Sequence, residues 1–227
     1  ENLQNEQAQS ALKRKALELE MQALRSQMNP HFIFNCLNAI DNLIQTDQPD
    51  KATTYLARFA RLIRGVLDSS KNNIVSFQKD FETLQLYLEL EQFRCNNKFN
   101  YNLTADIRLM NGDYKVPPLI IQPFIENAIQ HGLLNKQSTD RQLDIDIQLK
   151  DEQMIYVITD NGVGRKQAEM IRKSNRPEHQ SYGIVITTER IRMHNKSGNE
   201  NDLLIMDINN NGNEKGTRIE VKIDCLN

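Results

Sequence analysis

Asn127 and His131 stand four residues apart in the segment Gln122 to Gly132, so on a helix they share one face while Phe124, Ile125, Ala128 and Ile129 pack on the other. The side-chain oxygen of an asparagine is a hard ligand, and a magnesium ion bound to phosphates takes only one or two protein ligands. An isolated asparagine more often satisfies a neighbouring backbone group, so this segment gains weight only in company. A second segment supplies it. Asp160, Asn161, Gly162, Val163 and Gly164 follow directly on an apolar run ending at Thr159. A carboxylate there can accept a hydrogen bond from the exocyclic amine of adenine, a group guanine lacks at that position, while the two glycines let backbone approach a flat base. Taken alone, Asp-Asn-Gly is more often a turn.

The third segment runs from Ser181 to Ile191, with Gly183 placed to open a helix whose free N–H groups can face phosphate oxygens; Gly216 and Thr217 begin the last strand-like run. The plain alternative is an ordinary helix start. The fourth, Gln27 to Asn35, sets Pro30 inside a strong helix-forming stretch immediately before His31. Proline removes one backbone bond and meets the carbonyl of Ser26, which bends the helix at that point. Neutral imidazole is nucleophilic near pH 7, and on the surface of a bundle it would be open to a phosphoryl group. A lone histidine is more commonly just a surface or core residue. No GxxxxGK[ST] loop is present, so any nucleotide site must be of another kind.

The elements needed to position these groups are legible in outline. From Glu1 to about Gln45 the chain reads as one long helix, with Leu17, Met21, Leu24 and Met28 as a short seam for a partner helix. Tyr55, Leu56, Phe59, Leu62, Ile63, Val66 and Leu67 predict a second amphipathic helix up to about Lys71. Two such helical hairpins would form a four-helix bundle in a homodimer. A third helix is expected over Phe77 to Arg94, with Phe81, Leu84, Leu88 and Leu90 inward. Strands are expected over Phe99 to Ile107, Leu143 to Leu149, Met154 to Thr159, Leu203 to Ile208 and Thr217 to Ile223, and helices over Pro118 to Leu133 and Gly183 to Asn195. The polar stretch between Gly164 and Tyr182, with Arg165, Lys166, Arg172, Lys173 and Arg176, is long enough for a lid. The fold class is therefore α+β, a helical hairpin over 1–75 followed by an α/β sandwich over 76–227.

Composition narrows the class further. The 227 residues carry 28 Lys and Arg against 30 Asp and Glu, a net charge of −2, which gives no nucleic-acid footprint. Cys36, Cys95 and Cys225 are scattered and without metal-ligand spacing, as expected of a reducing cytosol. No apolar run approaches the roughly 20 residues needed to cross a bilayer. The chain begins without methionine inside a helix-forming stretch, so a fragment is expected whose upstream sensor lies elsewhere.

The segments, in this order, resemble the LytS-type sensor histidine kinases, whose phosphoacceptor segment has the pattern met here by Gln27, Asn29, Pro30, His31, Phe32, Phe34 and Asn35. The resemblance extends through Pro118, Gln122, Pro123, Glu126, Asn127, His131 and Gly132, then Asp160, Gly162 and Gly164, then Gly183, Gly216 and Thr217. It implies an ATP-binding domain of the Bergerat fold, with ATP and Mg²⁺ as cofactors. It makes His31 the phosphoacceptor, Asn127 the Mg²⁺ ligand and Asp160 the adenine reader. His131, Gly162, Gly164 and Gly183 then shape the nucleotide pocket, with Thr217 a second polar contact beside Asp160. Asn35, one helical turn after His31, would orient water for a phosphatase reaction. Two positions depart from the wider pattern of histidine kinases. Phe32 stands where many carry an acidic proton acceptor, a role for which Glu126 is the candidate, and Ser181 replaces a glycine two residues before Gly183. The implied partners are a second copy of the chain and a response regulator, expected to be of the LytTR type. The implied place is the cytoplasmic portion of a cytoplasmic-membrane protein with an upstream transmembrane sensor. Two rivals use the same residues differently: a mechanical ATPase of the same nucleotide fold, and a non-catalytic dimeric scaffold.

Overall fold

The computed structural model describes residues 30–70, 72–175, 182–195, 200–210 and 213–225. The chain divides into two compact units, residues 1–73 and 74–227. The seam at Leu17 to Met28, the bend against Ser26, and Arg176 and Ser181 lie outside the described residues.

The first unit contains α1 (Pro30–Gln45) and α2 (Pro49–Ser70). Helix α1 stops because Asp47 adopts the left-handed conformation, φ 56°, and the amide of Gln48 bonds back to the carbonyl of Leu43 at 2.9 Å. Pro49 then starts α2, where its missing N–H costs nothing. Phe32, Cys36, Ile40 and Leu43 bury one stripe of α1 together with Tyr55, Phe59, Leu62 and Val66 of α2, and the Tyr55 hydroxyl donates to Cys36 Sγ at 3.3 Å. A second stripe on α1, Phe34, Leu37 and Ile44, remains exposed, as does Leu56 on α2. The side chain of His31 lies outside the description, although its backbone belongs to the first turn of α1.

The second unit opens with β1 (Val75–Ser76), whose Ser76 side chain caps α3 (Phe77–Arg94) by accepting from the amide of Lys79. There follow β2 (Asn100–Ala105), α4 (Ile107–Asn111), β3 (Lys115–Val116) and α5 (Gln122–Asn127), which continues as a π-helix over Ala128–Leu133. Then come β4 (Gln142–Lys150), β5 (Gln153–Asp160), α6 (Arg165–Asn175), α7 (Tyr182–His194), a 3₁₀ turn at Glu200–Asp202, β6 (Leu203–Asn210) and β7 (Asn213–Asp224).

The main sheet has the order β2-β4-β5-β7-β6, with β2 parallel to β4 and every other pairing antiparallel. One face is the core. Leu143, Ile145 and Ile147 of β4, Met154, Tyr156 and Ile158 of β5, and Ile219, Val221 and Ile223 of β7 are all buried on it, in the same layer as Phe124, Ile125, Ile129 and Leu133 of the helix that carries Asn127. The expected order of a helical hairpin and then a two-layer α/β unit is the order observed.

Four elements differ from expectation. The strand expected to reach Ile107 ends at Ala105, because Asp106 turns to accept from the Arg108 amide at 2.9 Å and caps the short α4. The helix expected from Pro118 starts only at Gln122, since Leu119 sits at φ 56°, where a helix cannot propagate. Its second half is a π-helix, which widens the turn beside Gly132. The basic segment after Gly164 begins as helix α6, its first turn closed by the Ala168 amide on the Gly164 carbonyl at 3.0 Å. Phe81, expected inward on α3, is half-exposed, and its inward place is taken by Phe77, Tyr87 and two carboxylates, Asp80 and Glu91.

Candidate active site

Asp160 is the last residue of β5 and is only 3% exposed. Strand register sets Thr217 of β7 opposite it. Its Oδ1 accepts the Gly162 amide at 2.8 Å, and the Thr217 amide also donates to the carboxylate. Burial pushes the carboxyl up to about 6; the two amides and the positive charge of Lys136 pull it part of the way back.

The backbone around this carboxylate leaves no room for side chains. A Cβ on Gly162 would lie 2.4 Å from the Gly132 carbonyl carbon, and one on Gly216 would lie 2.0 Å from the Asp160 carbonyl oxygen, at a φ of +133°. Three stretches of chain thus meet within van der Waals distance: the end of the π-helix, the loop after β5 and the start of β7. The Val163 amide ties the first two by donating to the Gly132 carbonyl at 3.2 Å. Asn161 is structural rather than part of the pocket lining, for its side chain accepts from the Gln142 amide at 2.8 Å and donates to the Asp140 carbonyl. Such close backbone packing around one buried carboxylate suits a flat base presenting an amine.

Asn127 is the last α-helical residue before the π turn and is half-buried; its side chain makes no hydrogen bond among the described residues. His131 lies exposed within the π turn, with its carbonyl accepting from Asn135 Nδ2 at 2.9 Å. Glu126 is half-buried next to Asn127. Gly164, at φ 79°, turns the chain into α6, and Arg165 there forms a two-pronged pair with Asp207 of β6 at 2.7 and 2.8 Å. Gly183 is the second residue of α7, one place later than expected. Asp160, Gly162 and Thr217 are therefore brought into direct contact, and Asn127 and His131 lie on the helix whose end packs against them. His31 and Asn35 lie in the other unit, both on α1 and four residues apart, with Asn35 half-buried.

Sequence reasoning passed over Lys136, which acts on Asp160 by charge while its Nζ donates to the Asp140 carbonyl at 2.6 Å. It also passed over Asp207 and the pair Asp80 and Glu91. Only the last two left a signal, as carboxylates at positions where the helical period calls for apolar residues. The fit to a metal is limited but adequate: no cluster of three His, Cys, Asp or Glu that could hold an ion occurs among the described residues, whereas the unengaged amide of Asn127 suits an ion held mainly by phosphates.

The arrangement defines a class: a helical hairpin bearing an Asn-Pro-His segment, joined to an α/β unit with a glycine-walled carboxylate pocket. A family model for histidine kinases matches residues 19–99. The sensor protein LytS of Oceanobacillus iheyensis is 30% identical over 213 residues, covering 92% of this chain and 35% of that protein. LytS of Staphylococcus saprophyticus is 30% identical over 223 residues, covering 97% of this chain and 36% of that protein. The sensor histidine kinase/phosphatase LytS of Staphylococcus aureus is 32% identical over 156 residues, with 67% and 26% covered. The solved histidine kinase domain of the blue-light-activated kinase of Erythrobacter litoralis covers 91% of this chain and 95% of its own, at a TM-score of 0.49 and 14% identity. Over nearly its whole length the chain is similar to LytS-type sensor histidine kinases. It spans about a third of the length of the Oceanobacillus iheyensis and Staphylococcus saprophyticus LytS proteins. No helix among the described residues is long and apolar enough to cross a membrane.

Proposed function

We propose that the chain is the kinase portion of a two-component sensor, which phosphorylates His31 with ATP and passes the phosphoryl group to an aspartate of a response regulator. The observation that carries this reading is the buried Asp160, held between backbone amides and walled by backbone at Gly132, Gly162 and Gly216. In this reading residues 76–227 hold the nucleotide and residues 1–75 present the acceptor. Asp160 accepts the adenine amine, with Thr217 beside it, while His131, Gly162, Gly164 and Gly183 shape the pocket. Asn127 supplies the protein ligand for Mg²⁺, which offsets the charge on the phosphates. A neutral ring nitrogen of His31 attacks the γ-phosphorus, an N–P bond forms as the bond to ADP breaks, and the ring proton passes to an acceptor, the role assigned to Glu126. Asn35 orients water for the reverse hydrolysis, a reading supported by the kinase/phosphatase name of the Staphylococcus aureus relative. The regulator is of the LytTR type, and the parent protein carries a transmembrane sensor that places this portion in the cytoplasm.

Dimerisation through α1 and α2 belongs to the same reading. Phe34, Leu37 and Ile44 of α1, and Leu56 of α2, are the apolar surface that a second copy would cover. Burying a leucine or isoleucine stabilises by about 1.5–3 kcal/mol, so Leu37→Glu with Ile44→Glu is expected to raise the dimer dissociation constant by at least about a hundredfold. Sedimentation at graded concentrations measures this, and an unchanged dimer would remove the face from the interface.

The function itself is tested with γ-labelled ATP. Label that is stable in alkali and lost in acid is the expected outcome. Hydrolysis without label would indicate a mechanical ATPase, and the absence of both a scaffold.

A further inference from the structure

Helix α3 carries two carboxylates in its buried face: one grips the turn just before the helix that bears Asn127, the other that helix's π segment. Asp80 Oδ1 accepts the Leu119 amide at 2.8 Å, and Glu91 Oε2 accepts Gln130 Nε2 at 3.3 Å. Both bonds join residues 39 apart in sequence, so the eleven-residue step from Asp80 to Glu91 on α3 is matched by the eleven-residue step from Leu119 to Gln130. Eleven residues of α-helix make just over three whole turns, which sets both carboxylates on the same side.

Each grip falls where the backbone departs from a regular α-helix. Leu119 stands at φ 56°, a left-handed conformation that a side-chain-bearing residue keeps only when its surroundings hold it there. Its amide is held by Asp80, and the carbonyl just before it, that of Pro118, accepts from Arg190 Nη2 of α7 at 2.9 Å. Gln130 lies in the π turn, and Glu91 is itself fixed by a fork from Arg94, with contacts of 2.6 and 3.1 Å. Asn127 lies between the two grips. Asp80 and Glu91 are 5% and 1% exposed; the bond to Leu119 is buried and that to Gln130 partly so, which limits competition from water.

We propose that Asp80 and Glu91 are positioning residues for the metal and nucleotide site, acting as a ruler on α3 that fixes the Asn127 helix on either side of Asn127 and so the aim of its side chain. This rests on the reading of Asn127 as the Mg²⁺ ligand. Residues standing behind a ligand in this way change metal affinity by roughly 10–100-fold when altered, without touching the metal. The ruler leaves adenine recognition at Asp160 alone, because that carboxylate is held by Gly162 and Thr217.

The test is calorimetric binding of ADP to the full chain, in EDTA and in Mg²⁺, with the ratio of the two affinities as the readout. Asp80→Ala removes the acceptor for Leu119, and Gln130→Met removes the grip on the π turn while leaving Glu91 paired with Arg94. Both are expected to keep the EDTA affinity and to lose about tenfold of the gain from Mg²⁺. Asp80→Asn, which keeps an oxygen toward Leu119, is expected to retain most of that gain. A folded Gln130→Met with its full Mg²⁺ gain overturns the proposal, as does a loss that is equal in EDTA and Mg²⁺; should Asp80→Ala fail to fold, Gln130→Met decides alone. Asn127→Ala serves as the control. If it too keeps the gain, the assignment of the metal ligand has failed rather than the ruler.

Discussion

Replacing Asp160 by asparagine is expected to weaken ADP binding by about one to two orders of magnitude, and at neutral pH to leave the empty protein no less stable than before. A hydrogen bond to a charged group contributes about 1.5–3 kcal/mol, which sets the scale of the binding loss. The stability effect has the opposite sign. Burial raises the Asp160 carboxyl from 3.8 to about 6, so the folded state holds its proton more tightly than the unfolded state does. The stabilisation from this proton is complete below about pH 4 and is lost as pH rises through about 6. At pH 7 the ionised carboxylate therefore costs on the order of 2–3 kcal/mol relative to its protonated form. Asparagine does not titrate. Asp80, also pushed up to about 6 by burial, contributes a similar slope to both proteins, so the difference between their melting profiles isolates Asp160. Melting curves from pH 4 to 8 should show the wild-type midpoint falling relative to Asp160→Asn across that window. A variant that binds ADP as tightly as wild type would remove Asp160 from adenine recognition.

That a buried carboxylate weakens its own fold explains why part of the site was legible and part was not. Asp160 could be found because it follows an apolar strand and precedes two glycines, a local pattern with a local cause. The alternation of Leu143, Ile145, Ile147 and Leu149 gave strand β4 for the same reason: a half-buried strand repeats every two residues. Contacts that bridge distant parts of the chain left no such trace. The approach of Gly162 to Gly132 spans thirty residues, and nothing near either glycine announces the other. The left-handed turn at Leu119 was hidden because leucine rarely takes that conformation, and its support comes from Asp80 on another helix. Asp106, read as strand, instead satisfies the first turn of a helix too short to show periodicity. Asp80 and Glu91 were visible in principle. They interrupt the inward face of α3 at positions where an apolar residue would pack, and a carboxylate persists there only with partners to hold.

Exchange of His31 for glutamine should abolish acid-labile label completely while leaving ADP affinity unchanged. Glutamine keeps a polar side chain of similar reach but has no ring nitrogen to form the N–P bond, so the loss is one of chemistry rather than of packing. The Asp160 pocket is assembled wholly from α5, its π extension, β5 and β7, all within residues 74–227, so binding has no reason to follow. This separates the variant from Asp160→Asn, which should lose label and nucleotide together. Their combination then addresses the direction of transfer. In mixed dimers of His31→Gln and Asp160→Asn chains, each half lacks what the other keeps. Label on the chain that retains His31 requires the phosphoryl group to cross between subunits; its absence, with both chains folded and paired, requires transfer within one. Acid-labile label on a His31→Gln chain alone would move the acceptor elsewhere and undo the reading of the Asn-Pro-His segment.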